Sequence, residues 1–360
     1  MTHDRFKRAF AFLLPLACTA LAVLLVLRAP LAMEGARGGL ALCGQVIIPS
    51  LYPFYVLGGL YTGGRRQEGG GRGAGKATNF LFRQPPAALG AILLGFLGGY
   101  PLGAKAAAQL MERGALTRVQ AQRLQIFCVN AGPAYLIGAV GAGMLGSRRA
   151  GLLLFASLSA AGLVLGLVSR FWQDDVAPQP AAPLQPPPRQ AQPFSSLLLH
   201  SVSQATASIL AACAWVVLFA TLCSLLRLLP NGFWPALPFL NVILEVSSGM
   251  AALVRSGVVL PVCAAALGWG GLAVHCQTLA EVRKTGLPLR VFWVARALHG
   301  ALAAAICWQL CRWFPAELPA AAVAGAAYAV RLWAVSAPAA AAALFFCAFL
   351  ILDIDLGRKL

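Results

Sequence analysis

Long apolar runs, separated by short polar or glycine-rich segments, extend along most of the 360-residue chain. A membrane-spanning helix needs about 20 predominantly apolar residues to cross a hydrocarbon core of about 30 Å. Windows that approach or exceed this length with few or no charges are residues 9–27, 87–104, 121–145, 150–171, 207–229, 289–311 and 336–352. The pattern predicts an all-α integral membrane protein with about eight transmembrane helices.

A proline-rich segment at residues 173–194 separates two membrane halves, residues 1–172 and residues 195–360. Its seven prolines exclude a packed element, so we expect an extended surface linker. The halves share a weak repeat, in which residues 98–105 align with residues 270–277 at an offset of 172. Duplicated interrupted membrane segments indicate a transporter's substrate site, although a chance match in an Ala- and Gly-rich chain is the alternative.

The composition agrees with a membrane protein, because 59% of the residues are hydrophobic, 11% are charged and the mean hydropathy is +0.76. The net charge of +17 lies in short loops and at helix ends, as the positive-inside bias produces. A lipid bilayer, and no nucleic acid, is therefore the expected partner. The basic start before residues 9–27 lacks a convincing cleavage site, which predicts an uncleaved first helix with a cytoplasmic N-terminus.

Motifs typical of enzymes and metal sites are missing from the sequence. There is no H-E-x-x-H, no G-x-S-x-G and no pair of membrane aspartates, and Ala77 replaces the Ser or Thr that a P-loop at residues 70–76 would require. The ten cysteines lie in apolar stretches without C-x-x-C spacing, as expected for small buried hydrophobic residues. We therefore expect no enzymatic activity, no cofactor and no metal site.

Four Gly/Pro interruptions inside apolar regions carry the candidate chemistry, at residues 48–54, 98–101, 130–133 and 244–249. Lipid cannot hydrogen-bond the backbone, so an unwound segment at membrane depth must be buried in protein or line a water-filled cavity. The interruptions and their neighbours supply these predicted substrate-binding residues: Pro49, Ser50, Gly98, Gly99, Tyr100, Pro101, Lys105, Asn130, Gly132, Ser247 and Ser248.

Two polar side chains among these candidates have specific chemistry. A half-helix that begins after Pro101 would direct its unpaired N–H groups and positive dipole end at the interruption, and Lys105 follows one turn later. An anion is stabilised there, although Lys105 has the alternative of snorkelling to the lipid headgroups. Asn130 offers a donor and an acceptor beside freed carbonyls, which favours a ligand or cation contact over a plain kink.

The second half supplies three candidates for ion coupling. Glu245 is a carboxylate in an apolar segment, and such residues mark ion or proton pathways unless they lie at a helix end in the interface. His275 and Gln277 occupy the positions aligned with Gly103 and Lys105. His275 can titrate near neutral pH and couple protons, although a lone histidine is more often structural. The coupling ion, Na⁺ or H⁺, stays open at this stage.

Residues 39–54, 98–105, 127–133 and 244–249 strongly resemble blocks of the sporulation integral membrane protein YlbJ family, also called SpoVV. The resemblance extends over nearly the whole chain, and its G-Y-P-x-G-A-K and N-A-G-P blocks are specific. It implies a nucleoside-recognition gate domain and a fold similar to concentrative nucleoside transporters, with two re-entrant hairpins and two unwound helices around a central site. It also implies transport of dipicolinic acid from the mother cell across the outer forespore membrane during endospore formation.

The residues and the resemblance together predict secondary transport, facilitated or ion-coupled, of a small aromatic carboxylate. Transport of a nucleoside or of another small solute is the alternative within the same class. A non-catalytic membrane scaffold needed for spore assembly is the alternative from another class, and it predicts a purified protein that binds no solute. The sequence is compatible with a homo-oligomer.

Overall fold

The computed structural model describes residues 2–63, 72–172 and 193–315. Every regular element within these ranges is helical, which confirms the predicted all-α class. The predicted window at residues 336–352 lies outside the described residues, and so does nearly all of the predicted linker at residues 173–194.

The described chain consists of α-helices with two π-helical segments and two short 3₁₀ turns. The first half contains α1 (Thr2–Leu27), α2 (Ala29–Leu42), a π-helical turn (Cys43–Ile47), α3 (Ile48–Gly63), α4 (Arg72–Phe82), α5 (Ala88–Leu97), α6 (Leu102–Glu112), α7 (Arg118–Phe127), a π-helix (Ala134–Met144) and α8 (Arg148–Ser169). The second half contains α9 (Phe194–Leu225), the 3₁₀ turns Leu226–Leu228 and Asn231–Ala236, α10 (Leu237–Leu244), α11 (Val246–Arg255), α12 (Leu260–Trp269), α13 (Gly271–Thr285) and α14 (Leu289–Trp313).

Five helical stretches of the described residues are long and apolar enough to cross a membrane. They are Ala29–Tyr61, Arg148–Ser169, Phe194–Leu228, Leu260–Thr285 and Leu289–Trp313. Their large apolar side chains remain exposed on the surface of the fold, as in the exposed leucines and valines of α8 and α9. Lipid is the solvent that such a surface requires.

The predicted interruption at residues 48–54 is wrong, because α3 continues through Pro49 and Pro53 without unwinding. A π-helical turn, Cys43–Ile47, precedes α3 and joins it to α2 as one helical stretch. Prolines are tolerated in membrane helices where a local π adjustment re-satisfies the freed backbone groups. Pro49 closely follows the change of helical pitch, Pro53 lies inside α3, and neither proline breaks the helix.

The interruption at residues 98–101 is confirmed, and it forms the tip of a helical hairpin. A Cβ placed on Gly103 would lie 2.7 Å from Gly95 Cα, which requires α6 to return along α5. The same Cβ would lie 2.1 Å from Cys128 O. Glycines at the crossing point thus let three backbone segments approach one another.

The interruption at residues 244–249 is also confirmed and forms a second hairpin. α10 ends at Leu244, Glu245 has an extended backbone, and α11 begins with the next residue. A Cβ on Gly249 would lie 2.4 Å from Val242 N, so α11 packs closely against α10. A single residue makes this turn, which leaves the first N–H groups of α11 directed at the tip.

Each hairpin is followed by a helix that is interrupted without folding back. α7 ends at Phe127, residues 128–132 are unwound and the π-helix follows, which confirms the predicted interruption at residues 130–133. α12 and α13 are separated at Gly270, whose φ of +85° lies in the left-handed region that glycine adopts without strain. A long helix, α8 or α14, then completes each half.

This order pairs the hairpin α5–α6 with the hairpin α10–α11, and it contradicts the sequence alignment at an offset of 172. That alignment matches a hairpin tip, residues 98–101, with residues 270–271 of an interrupted helix. Glycine pairs mark an interruption in either setting, but tertiary packing decides whether the next helix folds back. The equivalence of His275 and Gln277 with Gly103 and Lys105, which was drawn from that alignment, is therefore wrong as well.

Side chains of α7 and α13 join the two halves. Gln122 Nε2 donates to Thr285 O at 3.0 Å, and Gln125 Nε2 donates to Glu281 O at 3.0 Å. The hydroxyl of Thr285 donates to Gln125 Oε1 at 2.7 Å. Outside this junction, α9 packs along the whole stretch Ala29–Tyr61 and faces α6 and α13 across a series of cavities.

Candidate functional site

Three cavities lie one after another along α9. Their lining includes the α9 residues Gln204, Ser208, Ala212, Val216, Ala220 and Ser224. Successive members of this set are four residues apart, so each is adjacent to the next, and the set winds gradually around the helix. The distance from the first to the last is about 30 Å at a rise of 1.5 Å per residue, which equals the hydrocarbon thickness of a bilayer.

We name the cavities after their contents. The lysine cavity, of about 300 Å³, contains Lys105; the central cavity, of about 40 Å³, contains Glu245; and the arginine cavity, of about 340 Å³, contains Arg255. The stretch Ala29–Tyr61 lines the same three cavities in the reverse order. Two long helices therefore flank one series of spaces across the membrane.

Lys105 occupies the middle of the lysine cavity. The side chain is half-buried, and its Nζ donates to Ser208 Oγ at 2.6 Å, while the Ser208 hydroxyl donates to Gln204 O at 2.8 Å. An ammonium has three protons to donate, so this geometry leaves capacity for a ligand. The ammonium lies against α9 at this cavity.

The charge of Lys105 is not neutralised by an ion pair with any described residue. Glu281 lines the same cavity, but its carboxylate pairs with Lys284 at 3.1 Å, and Glu112 adds a second contact to that lysine at 3.5 Å. The charges of Lys105 and Glu281 in the lining therefore balance, but the Lys105 ammonium has no carboxylate in direct contact in its half-buried setting, and an anion could supply one.

The central cavity is where the interruptions meet. Gly99 from the first hairpin tip, Gly132 from the unwound segment and Ser247 from the second hairpin line it together, with Ser50 on α3 and Gln277 on α13. A volume of about 40 Å³ holds roughly one or two water molecules and no aromatic ring. It is thus a constriction between two larger cavities.

Tyr100 closes one wall of this constriction. Its hydroxyl donates to Leu267 O on α12, and Tyr55 donates to Tyr100 O at 3.0 Å. Pro101, the next residue, lines the lysine cavity instead. The first hairpin tip is thereby tied both to α3 and to the second half of the chain.

Glu245 caps the second hairpin's helix from inside the protein. Its Oε1 accepts from Ser247 N at 2.8 Å and its Oε2 accepts from Ser248 N at 2.6 Å, and only 1% of the residue is exposed. Glu245 therefore lies at a helix end and is enclosed by protein. A carboxylate of the chain itself thus occupies the helix N-terminus where Ser247 and Ser248 were expected to receive substrate.

The chain is 24% identical over 308 residues to the sporulation integral membrane protein YlbJ of Bacillus subtilis (strain 168), and the match covers 75% of each protein. This similarity supports the resemblance to the YlbJ family. The name of that relative and the apolar helices support an integral membrane protein, in keeping with a membrane role in sporulation. No family model and no solved structure matches the chain.

Two of the predicted polar residues lie away from the three cavities. Asn130 is buried, its Nδ2 donates to Phe127 O at 2.8 Å, and its Oδ1 lies on the α8 side, 3.2 Å from where a Cβ on Gly162 would be. His275 is buried too, with Nδ1 2.6 Å from Gly271 O. Its ring stacks among aromatic residues, 4.4 Å from the ring centroid of Trp269. Both positions suit structural roles.

The remaining candidates differ in whether they line a cavity and in which cavity they line. Pro49 is exposed on the outer side of α3, and Gly98 is buried beneath Leu102. Ser248 lines the arginine cavity and not the central one. Ser50, Gly99, Tyr100, Gly132, Ser247, Glu245 and Gln277 all line the central cavity, while Pro101, Lys105 and Gln277 line the lysine cavity.

Arg296 is a structural residue of this site that the sequence analysis missed. It is 0% exposed, and its guanidinium donates to Ile126 O and Val129 O, at the point where α7 unwinds. The guanidinium thus supplies donors to carbonyls that the interruption leaves without helical partners. The sequence did offer a signal, since this arginine lies seven residues into the apolar stretch Leu289–Trp313. A charged residue inside a membrane helix is costly, which indicates a structural or functional role.

Replacing Arg296 with methionine is expected to lower the stability of the protein by about 2–4 kcal/mol, because two buried carbonyls lose their donors. Arg312→Met on the same helix is the matched control, since Arg312 is exposed. Thermal unfolding of the purified proteins in detergent measures the effect. Equal unfolding temperatures for the two variants would show that Arg296 does not support the interruption.

Proposed function

We propose that this protein transports dipicolinic acid, a small aromatic dicarboxylate, from the mother cell across the outer forespore membrane. The observation that carries the proposal is the unpaired ammonium of Lys105 in a cavity of about 300 Å³. This cavity belongs to a series that extends over a bilayer's thickness along α9. A passage for a polar solute needs such a series, and a scaffold does not.

The contents of the lysine cavity suit an aromatic acid. Trp215 offers an aromatic face for stacking, and the amides of Gln109, Gln204 and Gln277 supply donors and acceptors around Lys105. A dry cavity of about 150 Å³ binds benzene, so about 300 Å³ accommodates one ring with two carboxylates. A carboxylate on Lys105 and a ring on Trp215 together define the binding mode.

We further propose that the hairpins α5–α6 and α10–α11 are re-entrant. Their helices have between 8 and 11 residues, and at 1.5 Å per residue they reach about 12–17 Å, half the hydrocarbon thickness. Two hairpins and two interrupted helices around a central constriction correspond to the gate-type repeats of concentrative nucleoside transporters, with about eight spans in total.

Ion coupling, by Na⁺ or H⁺, is assigned in this proposal to Glu245 and Gln277 at the central cavity. Each carboxylate oxygen of Glu245 accepts one backbone N–H and keeps further lone pairs for a cation or a water molecule. The volume of about 40 Å³ suits such an occupant. The buried, hydrogen-bonded His275 is not part of this proposal.

Equilibrium binding to the purified protein tests the proposed substrate. Dipicolinate, benzoate, isophthalate and uridine are compared by isothermal titration calorimetry, with and without Na⁺ and at two pH values. Dipicolinate and isophthalate should bind at least tenfold more tightly than benzoate, because the second carboxylate adds charge-assisted hydrogen bonds. Preferential binding of uridine would indicate nucleoside transport, and binding of none of the solutes would favour a scaffold.

A further inference from the structure

The arginine cavity lies beyond the constriction and has no role in the binding mode above. It has a volume of about 340 Å³ and is lined by α2, the end of α9, α10 and α11. Ser224 and Arg227 place it at the opposite end of α9 from Gln204 and Ser208 of the lysine cavity. The two large cavities therefore lie toward opposite ends of α9.

The arginine cavity has an excess of positive charge among its lining residues. Arg227 pairs with Glu34 at 2.7 Å, so these two charges compensate each other. Arg255 lines the same cavity and forms no ion pair with any carboxylate in the ranges the structure describes. Its guanidinium offers a planar fork of donors that matches a carboxylate.

A buried polar atom in the wall of this cavity lacks a protein partner. Asn241 Oδ1 is inaccessible to solvent and makes no hydrogen bond within the described chain. Because a buried amide is costly to leave unsatisfied, and the amide can turn to present its donors, it is suited to a polar ligand. Asn241 and Arg255 lie on the two arms of the second hairpin and face one space.

The tip of that hairpin lies between the arginine cavity and the central one. Ser247 lines the central cavity and Ser248 lines the arginine cavity, and the carboxylate of Glu245 accepts from both backbone N–H groups. Consecutive residues at the start of α11 therefore line the two cavities. A substrate that passes the constriction arrives directly beside Asn241 and Arg255.

We propose that the arginine cavity is a second binding site for the transported carboxylate, at the opposite mouth of the path, with Arg255 as its anion-binding residue and Asn241 and Ser248 as its polar contacts. This inference rests on the proposed function, because it assigns the same substrate to both sites. Glu34 lowers the positive charge of the site by pairing with Arg227. Removal of that carboxylate adds a second free guanidinium to the cavity.

Saturation binding of radiolabelled dipicolinate to the full chain in nanodiscs of neutral lipid tests the inference. The wild type should bind two molecules per chain, Arg255→Gln and Lys105→Met one each, and the double variant none. Arg312→Gln, an exposed arginine on α14, is the matched control and should still bind two. Glu34→Gln should tighten binding at the second site about three- to tenfold.

Different outcomes of this experiment would contradict the second site and the proposed function. One molecule bound to the wild type, lost in Lys105→Met and retained in Arg255→Gln, would overturn the second site and leave the transporter intact. No dipicolinate bound to the wild type would overturn both. The same binding measurement is repeated in nanodiscs that contain phosphatidylglycerol. Loss of only the dipicolinate at the arginine cavity under these conditions would show that this cavity binds a lipid headgroup instead.

Discussion

Replacing Lys105 with methionine is expected to lower the affinity for dipicolinate at the lysine cavity about 10- to 100-fold, because a charge-assisted hydrogen bond in a half-buried site contributes about 1.5–3 kcal/mol. Methionine keeps the length and apolar contacts of the side chain and removes only the ammonium. Ser208 loses its donor partner but still donates to Gln204 O, so folding should be preserved.

The control for this variant is Lys76→Met, which removes an exposed lysine from α4 at a distance from the cavities. Both proteins should unfold at the wild-type temperature, and spores that carry Lys76→Met should accumulate dipicolinic acid normally. Spores that carry Lys105→Met should contain at least tenfold less. Normal accumulation with Lys105→Met at wild-type protein levels would remove Lys105 from the substrate site.

Gly103→Ala is expected to destabilise the whole site by at least about 3 kcal/mol, at the upper end of overpacking effects. The new methyl group would lie 2.1 Å from Cys128 O and 2.7 Å from Gly95 Cα. Both neighbours are backbone atoms, which cannot move aside by a side-chain rotation. The first hairpin would have to separate from the unwound segment, and the lysine cavity would lose its shape.

Gly138→Ala provides a matched control, because a Cβ there meets nothing within 4 Å and a Gly to Ala change in an exposed helix stabilises by roughly 0.5–1 kcal/mol. Fluorescence-detected size-exclusion chromatography and thermal unfolding in detergent compare the two variants. Gly103→Ala should give little monodisperse protein, whereas Gly138→Ala should match the wild type. A Gly103→Ala protein as stable as the wild type would show that α5, α6 and the unwound segment do not meet as described.

The sequence revealed the interruptions because backbone conformation is encoded locally. Glycine and proline pairs at residues 98–101 and 130–133 could be interpreted without tertiary information, and both segments are unwound. The same rule failed at Pro49 and Pro53, because α3 continues through both prolines after the π-helical turn Cys43–Ile47. Proline alone does not distinguish a break from a change of pitch.

The candidate site was predictable only in part, because side-chain direction depends on packing. Lys105 was identified from its place one turn after Pro101, and the structure brings its ammonium into a cavity. Asn130 has the same local signature but faces α8, which no local pattern could indicate. The α9 lining could have been found, since Gln204 and Ser208 are polar residues one turn apart in an apolar helix.

Uptake of radiolabelled dipicolinate into proteoliposomes tests the transporter hypothesis most directly. Vesicles with the wild-type protein should take up dipicolinate faster than protein-free vesicles, excess unlabelled dipicolinate should abolish that difference, and uridine should not. Vesicles with Lys105→Met should resemble protein-free vesicles at the same substrate concentration. Uptake at the protein-free rate by correctly folded wild-type protein, with either Na⁺ or a pH gradient present, would contradict the account.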